Sequence, residues 1–324
     1  MNFKFKNVYL NATSIVAGPY EKNPIFINYF DEIYDDLYLG EKSWELAEIK
    51  LIHESVNILL SKTNMERENI NIHLSGDLLN QLVATNYASA KIGIPLIGVY
   101  AACATSTLSL ILGSILVDNY LKNAICSTSS HNAAAEKQFR YPVEYGGPKR
   151  CVTTFTTTAG CSALISRNKK GVRIDTGTIG TVVDMGVKDV YNMGAVMAPA
   201  AAKVLVDHLR ANKRKASYYD LILTGDLGIY GSKIFEEYLK SEYGIILDNY
   251  KDAGSMVYDN KKYAGGSGPA CMPLVAYGYI FSKLKKHEYK KVLLIATGAL
   301  HNQTLCNEKM SIPAIAHAIS LEAL

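Results

Sequence analysis

The sequence predicts an α/β fold built from two halves that repeat one another, and three observations predict it. Apolar strands alternate with amphipathic helices along the chain, a pattern that implies mostly parallel sheets covered by helices and joined by right-handed crossovers. A strand ending in Gly-Asp-Leu occurs twice, at Gly76-Asp77-Leu78 and at Gly225-Asp226-Leu227. A run of small residues that carries a cysteine into a helix also occurs twice, in Ala101 to Leu116 and in Gly268 to Phe281, so that Cys103 stands opposite Cys271. Downstream, His131-Asn132 and Glu136-Lys137 recur at a nearly constant offset as His301-Asn302 and Glu308-Lys309.

Taken in order, the first helix is expected from Ser43 to Ser61, with Leu46, Ile49, Ile52, Val56 and Leu59 at helical spacing and Ser43 as its N-cap. The strand Ile70 to Asn80 follows and ends in the first Gly-Asp-Leu. A second apolar strand then runs through Gly98 into the cysteine helix, and a third, Asn123 to Asn132, ends in the first His-Asn pair. The strand Thr156 to Arg167 closes the first half, and Asn168-Lys169-Lys170-Gly171 is a polar turn at the seam. The halves are therefore placed at residues 1–170 and 171–324. In the second half a helix is expected to begin near Pro199, a residue suited to a first helical turn. Its strands are Asp220 to Tyr230, Lys291 to Asn302 and Ser311 to Glu322, with the second cysteine helix between the first two.

Composition narrows the classes of function. The chain has 324 residues, of which 48% are hydrophobic, enough for a substantial core. A formal charge of +4, from 34 basic against 30 acidic residues, is too small to argue for nucleic acid. Basic residues cluster at Lys169-Lys170, Lys213-Arg214-Lys215 and Lys283 to Lys291; each cluster is either a solvated turn or helix end, or a surface for an anionic membrane or acidic partner. The N-terminus lacks the apolar core of a signal peptide, and no window is expected to reach the apolar span that crosses a bilayer. The six cysteines, without an export signal, read as reduced thiols of a cytoplasmic protein. No pair has CxxC spacing, so no metal site is expected.

Ligand sites in open α/β sheets collect at the carboxyl ends of strands, where Asp77, Cys103, His131, Asp226, Cys271 and His301 all fall. A thiol at a helix N-terminus sits among unpaired N–H groups that favour a thiolate or another anion, so Cys103 is either a nucleophile, part of an anion site, or an inert buried cysteine. Asp77 and Asp226 either hold calcium, orient basic loops or cap the turns they end, with turn-capping preferred for Asp226.

On these residues the chain resembles the thiolase superfamily. That resemblance implies a thiolase-like fold of two pseudo-symmetric βαβαβαββ halves in a five-layer αβαβα arrangement, with the nucleophilic cysteine at a central helix N-terminus. More narrowly, the segments Gly76 to Gln81, Ala102 to Ser106, Ser129 to Gly147, Met197 to Ala202, Leu223 to Leu227, Ala264 to Gly268 and Ala296 to Leu300 are similar to the stage V sporulation protein AD family. This resemblance implies a component of a spore-membrane system that moves dipicolinic acid (pyridine-2,6-dicarboxylate), with calcium, into the developing spore and out at germination. The implied partners are dipicolinic acid and the membrane subunits of the stage V sporulation A complex. The implied location is cytoplasmic, peripherally associated with the forespore or spore inner membrane. No cofactor is implied beyond calcium brought with the ligand, and a homodimer is the superfamily's habit.

A condensing enzyme needs an activated thiolate, basic side chains and an oxyanion hole. Cys103 fits the first role by position. The resemblance places a histidine in the second half, where this chain has Ala264 to Pro273 with Gly and Ser but no His. If the protein is an enzyme, its candidates are Cys103, His131 and His301. The broken set favours binding instead of catalysis. A flat dianion needs donors for two carboxylates and an apolar slot for its ring. The expected set is Asp77, Cys103, His131, Asn132, Lys137, Gln138, Arg140, Tyr141 and Ser267, with Arg140 the best carboxylate fork.

Overall fold

In the computed structural model, which describes residues 1–139, 149–258 and 263–324, each half runs through the same succession of elements. The first half contains β1 (Tyr9–Ala17), α1 (Trp44–Thr63), β2 (Ile72–Gly76), α2 (Val83–Ile92), β3 (Leu96–Gly98), α3 (Thr105–Asn119), β4 (Asn123–Ser130), α4 (Asn132–Phe139) and β5 (Ala159–Ser166). The second contains β6 (Val172–Ile179), α5 (Met193–Asn212), β7 (Leu221–Thr224), α6 (Gly228–Tyr243) and β8 (Tyr250–Asp252). It continues through a cysteine-led helix in three contiguous pieces, Cys271–Pro273, Leu274–Ile280 and Phe281–Lys285, to β9 (Lys291–Ala299) and β10 (Ala314–Ala323). The middle piece of that helix is π-helical.

Strand order repeats as well: β3-β2-β4-β5-β1 in the first half and β8-β7-β9-β10-β6 in the second. In each half the three outer strands are parallel and the two inner ones antiparallel. The halves are stitched into one ladder where β1 meets β6, at Tyr9↔Arg173 and Leu10↔Val172. Burial follows this layering. Strands β4 and β5 are buried almost throughout because helices cover both their faces, which is why they read as apolar and small without alternation. Helices α1 and α2 cover the outside of the first half-sheet, and α5, with α6 against it, covers the second. Helix α3 lies between, touching β4, β5 and β2 on one side and β6, β9 and β10 on the other. The five layers are thus helix, sheet, helix, sheet, helix.

The core position of α3 corrects one sequence expectation. The segment Ala102–Asn119 is long and apolar enough to cross a bilayer by length and composition alone, and most of it is buried inside the protein. A helix that packs against sheets on both sides has to be apolar all round.

The start of α5 is a second correction. The helix begins at Met193, where the Asn192 side chain accepts from the Ala195 N–H at 3.4 Å, and Pro199 stands inside it. The extra turns are stabilised by burial of Met193, Val196 and Met197, which offsets the hydrogen bond that Pro199 lacks. The N-cap of α1 is the predicted one, Ser43 Oγ accepting from the Leu46 N–H at 3.3 Å.

Close backbone approaches fix the cysteine turn. A Cβ on Gly298 of β9 would lie 2.3 Å from the Ala101 carbonyl, and one on Gly76 of β2 would lie 1.9 Å from the Val99 carbonyl. Glycine at these two positions lets both half-sheets press against the turn that carries Cys103.

Candidate functional site

The turn before α3 puts Cys103 at the helix entrance in a strained backbone. Ala102 has φ +49°, a left-handed conformation that a residue with a Cβ adopts at a cost, and Ala104 enters the helix without any side-chain cap. Thr105 holds the turn closed: its hydroxyl donates to the Ala102 carbonyl at 2.7 Å and accepts from the Ala101 N–H at 3.0 Å. Cys103 is left half-buried, facing a cavity of about 60 Å³.

Side chains from both halves line that cavity. Tyr100, Cys103 and Phe139 come from the first, and Met193, Met197, Ser267, Ala299 and His301 from the second. The Phe139 and His301 rings meet with centroids 5.4 Å apart. Tyr100, Phe139, His301 and Leu78 also line a second space of about 480 Å³, whose further walls carry Asn80, Gln81, Gln138, Asn302, Gln303 and Thr304. A small inner chamber with thiol and hydroxyl groups, and with the Glu136 carboxylate paired to Lys149 at 3.5 Å, therefore adjoins a wider vestibule rich in amides, with aromatic rings between them. One wall of the vestibule is strained: Gln81 and Leu82 have φ +60° and +55°. Gln138 ties it down, its Oε1 accepting from Asn80 N–H at 2.8 Å and its Nε2 donating to the Leu78 carbonyl at 2.9 Å.

Of the nine predicted binding residues, Cys103 and Ser267 line the inner chamber and Gln138 lines the vestibule. Arg140 and Tyr141 lie outside the described residues. The other four are not in the lining. His131 is fully buried: one ring nitrogen, Nε2, bonds the Leu37 carbonyl at 2.7 Å and the other, Nδ1, accepts from Ala134 N–H at 3.3 Å, which caps α4. Burial holds its pKa below the usual range, so the ring is neutral. The Asn132 backbone N–H donates to Thr158 Oγ1, and Lys137 pairs with Glu45 at 2.9 Å on the surface. The dense donor run splits because Asn132–Phe139 is a helix and not a loop. Helical spacing turns Ala135, Glu136 and Phe139 to the cavity and Lys137 away from it.

The two aspartates reverse their expected roles. Asp77 is the cap: its Oδ1 accepts from Leu79 N–H and its Oδ2 from Thr85 N–H, both at 2.8 Å. Asp226 caps nothing. It is fully buried, surrounded by the Cys271 thiol and the backbones of Thr297 and Gly268, and among the described residues neither oxygen makes a well-formed hydrogen bond. Burial and the neighbouring Asp252 push its pKa far up, so it is held as a neutral acid. The capping falls to Asp252, which accepts from Leu227 N–H, Gly228 N–H and Ser255 N–H at 2.8–3.1 Å. Among the described residues no group of three or more His, Cys, Asp or Glu side chains could hold a metal ion.

Sequence reasoning missed Met193 and Met197, hidden by the misplaced helix start, and the aromatic pair Tyr100 and Phe139. It also missed two buried acids. Glu48, on α1, accepts from the Ser129 hydroxyl at 2.9 Å, and its phase with Leu51, Ile52 and Ser55 on the buried face was the available signal. Glu21 accepts from Thr158 N–H at 3.0 Å and Tyr258 O–H at 2.6 Å, and burial pushes its pKa up to about 7. Thr158 ends the stretch whose Phe155–Thr156 strand pairs with Gly266–Ser267, so Glu21 braces the wall that carries Ser267.

Comparison with known proteins agrees with this architecture. In structure the chain is similar to 3-oxoacyl-[acyl-carrier-protein] synthase III from Aquifex aeolicus VF5, with a TM-score of 0.59 and 12% identity over 97% of this chain and 99% of that one. It is equally similar to cerulenin-bound OleA of Xanthomonas campestris, with a TM-score of 0.60 and 13% identity over 98% of each chain. At such identities the likeness shows the thiolase-like fold alone. Stage V sporulation protein AD of Bacillus subtilis (strain 168) is 41% identical over 318 residues, covering 97% of this chain and 94% of that protein. The family model for Stage V sporulation protein AD (SpoVAD) matches residues 1–322. With this match running through both halves and the cavity between them, the chain belongs to the Stage V sporulation protein AD family, with a role in sporulation on a thiolase-like fold.

Proposed function

We propose that the protein binds dipicolinate across the neck between chamber and vestibule, as a subunit of the spore membrane complex that moves calcium dipicolinate, and that it does not catalyse acyl transfer. The observation that carries this reading is the two-compartment site. A flat ring with carboxylates on opposite flanks matches an aromatic and thioether neck, formed by Tyr100, Phe139, Met193 and His301, with polar groups at both ends. One carboxylate meets the Cys103 thiol, the Ser267 hydroxyl and the uncapped start of α3, where helix termini favour anions. The other meets the amides of the vestibule. A thiolate beside a dianion is repelled, so Cys103 acts as a neutral donor. The protein works peripherally at the spore inner membrane, beside the membrane-embedded subunits of the stage V sporulation A complex. Calcium, where present, enters with the ligand.

A second reading has one observation in its favour: His301 lines the same cavity as Cys103. In a divergent condensing enzyme, Cys103 would take an acyl group from a thioester, with His301 as the base. His131 is out of reach of that role, because both its ring nitrogens are engaged away from the cavity. The readings separate on incubation with acetyl- and longer acyl-thioesters. The binding reading predicts no acyl adduct on Cys103 by mass spectrometry and no thioester consumption above that of Cys103→Ser. Steady consumption lost in Cys103→Ser would establish the enzyme.

A further inference from the structure

At the end of the sheets opposite the cavity, where β4 begins at Asn123 and β5 finishes at Ser166, lies a groove of about 900 Å³. Two basic clusters far apart in sequence converge on it: Lys170 from the seam and Lys285 and Lys286 from the end of the second cysteine helix, joined by Lys62 of α1. Its described lining holds these four lysines and no carboxylate. Lys62 is partly neutralised by Asp31 at 2.8 Å, and Lys285 sits over the Phe281 ring at 5.5 Å. Lys170, Lys285 and Lys286 are exposed and have no carboxylate partner within 4.0 Å among the described residues. The third basic cluster is used differently: Arg214 is bound to Asp175 at 2.8 Å and packed on Tyr218.

The floor is closed by buried core side chains and is partly π-helical, and the lining adds polar groups from Asn11, Asn123, Ser166 and Asn168. Tyr277 and Phe281 line it, and the widened turn of Leu274–Ile280 is held to β1 by the Thr13 hydroxyl donating to the Tyr277 carbonyl at 2.6 Å. We infer that this groove docks an extended acidic segment of a partner protein. The lysines on the walls supply charge complementarity, and Asn11, Asn123 and Asn168 supply amide partners for a bound backbone. A concave site suits a chain segment better than a flat bilayer, which would reach only the rim.

The test is fluorescence anisotropy on the intact protein with a short labelled peptide of repeated Glu-Glu-Ser triplets, at low and at physiological salt. The groove variant is Lys170→Glu/Lys286→Glu. A control variant, Lys213→Glu/Lys215→Glu, carries the same charge change outside the groove, and thermal melts confirm that both fold. The wild type is expected to bind with salt-dependent affinity, the groove variant to lose at least about tenfold and the control to stay within about twofold. Equal losses in both variants would overturn the assignment, as would absence of binding by the wild type. Binding confined to vesicles with about one-third phosphatidylglycerol, weakened by the groove variant, would replace the peptide with a bilayer surface.

Discussion

Cys103→Trp is expected to weaken dipicolinate binding by at least about 100-fold, roughly 2.7 kcal/mol, because the indole fills a chamber of about 60 Å³. Cys103→Ala should do far less. It removes one neutral donor, worth about 1 kcal/mol, and leaves the chamber open. A nucleophile behaves in the opposite way, since alanine alone abolishes its chemistry. The readout is dipicolinate accumulation in spores carrying each substitution at normal protein levels: near wild type for alanine and lost for tryptophan. Ala299→Phe, which blocks the same chamber from β9, should reproduce the tryptophan result and guards against a local folding defect at the cysteine turn. Complete loss in the alanine variant, with the protein present and binding intact, would restore a catalytic role for Cys103.

The second large effect is on stability. Glu21 has an ordinary pKa of 4.5 that burial raises to about 7 in the folded protein. The folded state therefore holds a proton that the unfolded state has lost between those values. The stability tied to this group is fully present below about pH 4.5 and is lost as pH rises through 7, a difference of about 3 kcal/mol. Glu21→Gln keeps an acceptor for Thr158 N–H and Tyr258 O–H and has no charge to bury. Urea unfolding should show the variant more stable than wild type at pH 8, by up to about 3 kcal/mol, and close to it at pH 4.5. Some decline with pH will remain in the variant, because Glu48, Asp226 and Asp252 are also buried acids with raised pKa values. A variant less stable than wild type at pH 8 would refute this reading of Glu21.

Much of the fold was legible because repetition is a property of the sequence itself. Gly-Asp-Leu and the cysteine-led helix recur in order, and strand order repeats with them. The predicted Ser43 cap was local chemistry, and it is present. Elements without such marks stayed hidden. The three-residue β8 has too few side chains for a period, and α6 begins at Gly228 with no side-chain cap to announce it. Pro199 misled because a proline signals a helix start only on average, and here the burial of Met193 and Met197 extends the helix past it.

The site was legible in its position and not in its membership. Cys103 follows from a strand end and a run of small residues, since both features are local, whereas Ser267 entered only through the segment that the family resemblance matched. Which neighbours of Cys103 face it depends on the phase of α4 and the length of α5, and those are set by packing between the halves. His131 shows the limit most clearly: a histidine at a strand end satisfies every sequence criterion for a site residue, yet it is spent capping α4. The aspartates make the same point, since only the fold shows that Asp252 takes the backbone donors near Asp226.

The central claim is that the space between the two halves is a binding site for a small aromatic dicarboxylate. Calorimetric titration of pyridine-2,6-dicarboxylate into the intact protein, with and without calcium, tests it most directly. The account predicts saturable binding at one site per chain in the wild type and none in Cys103→Trp; a wild-type protein that gives no binding heat under either condition, and no protection of its thermal melt by the ligand, would contradict it.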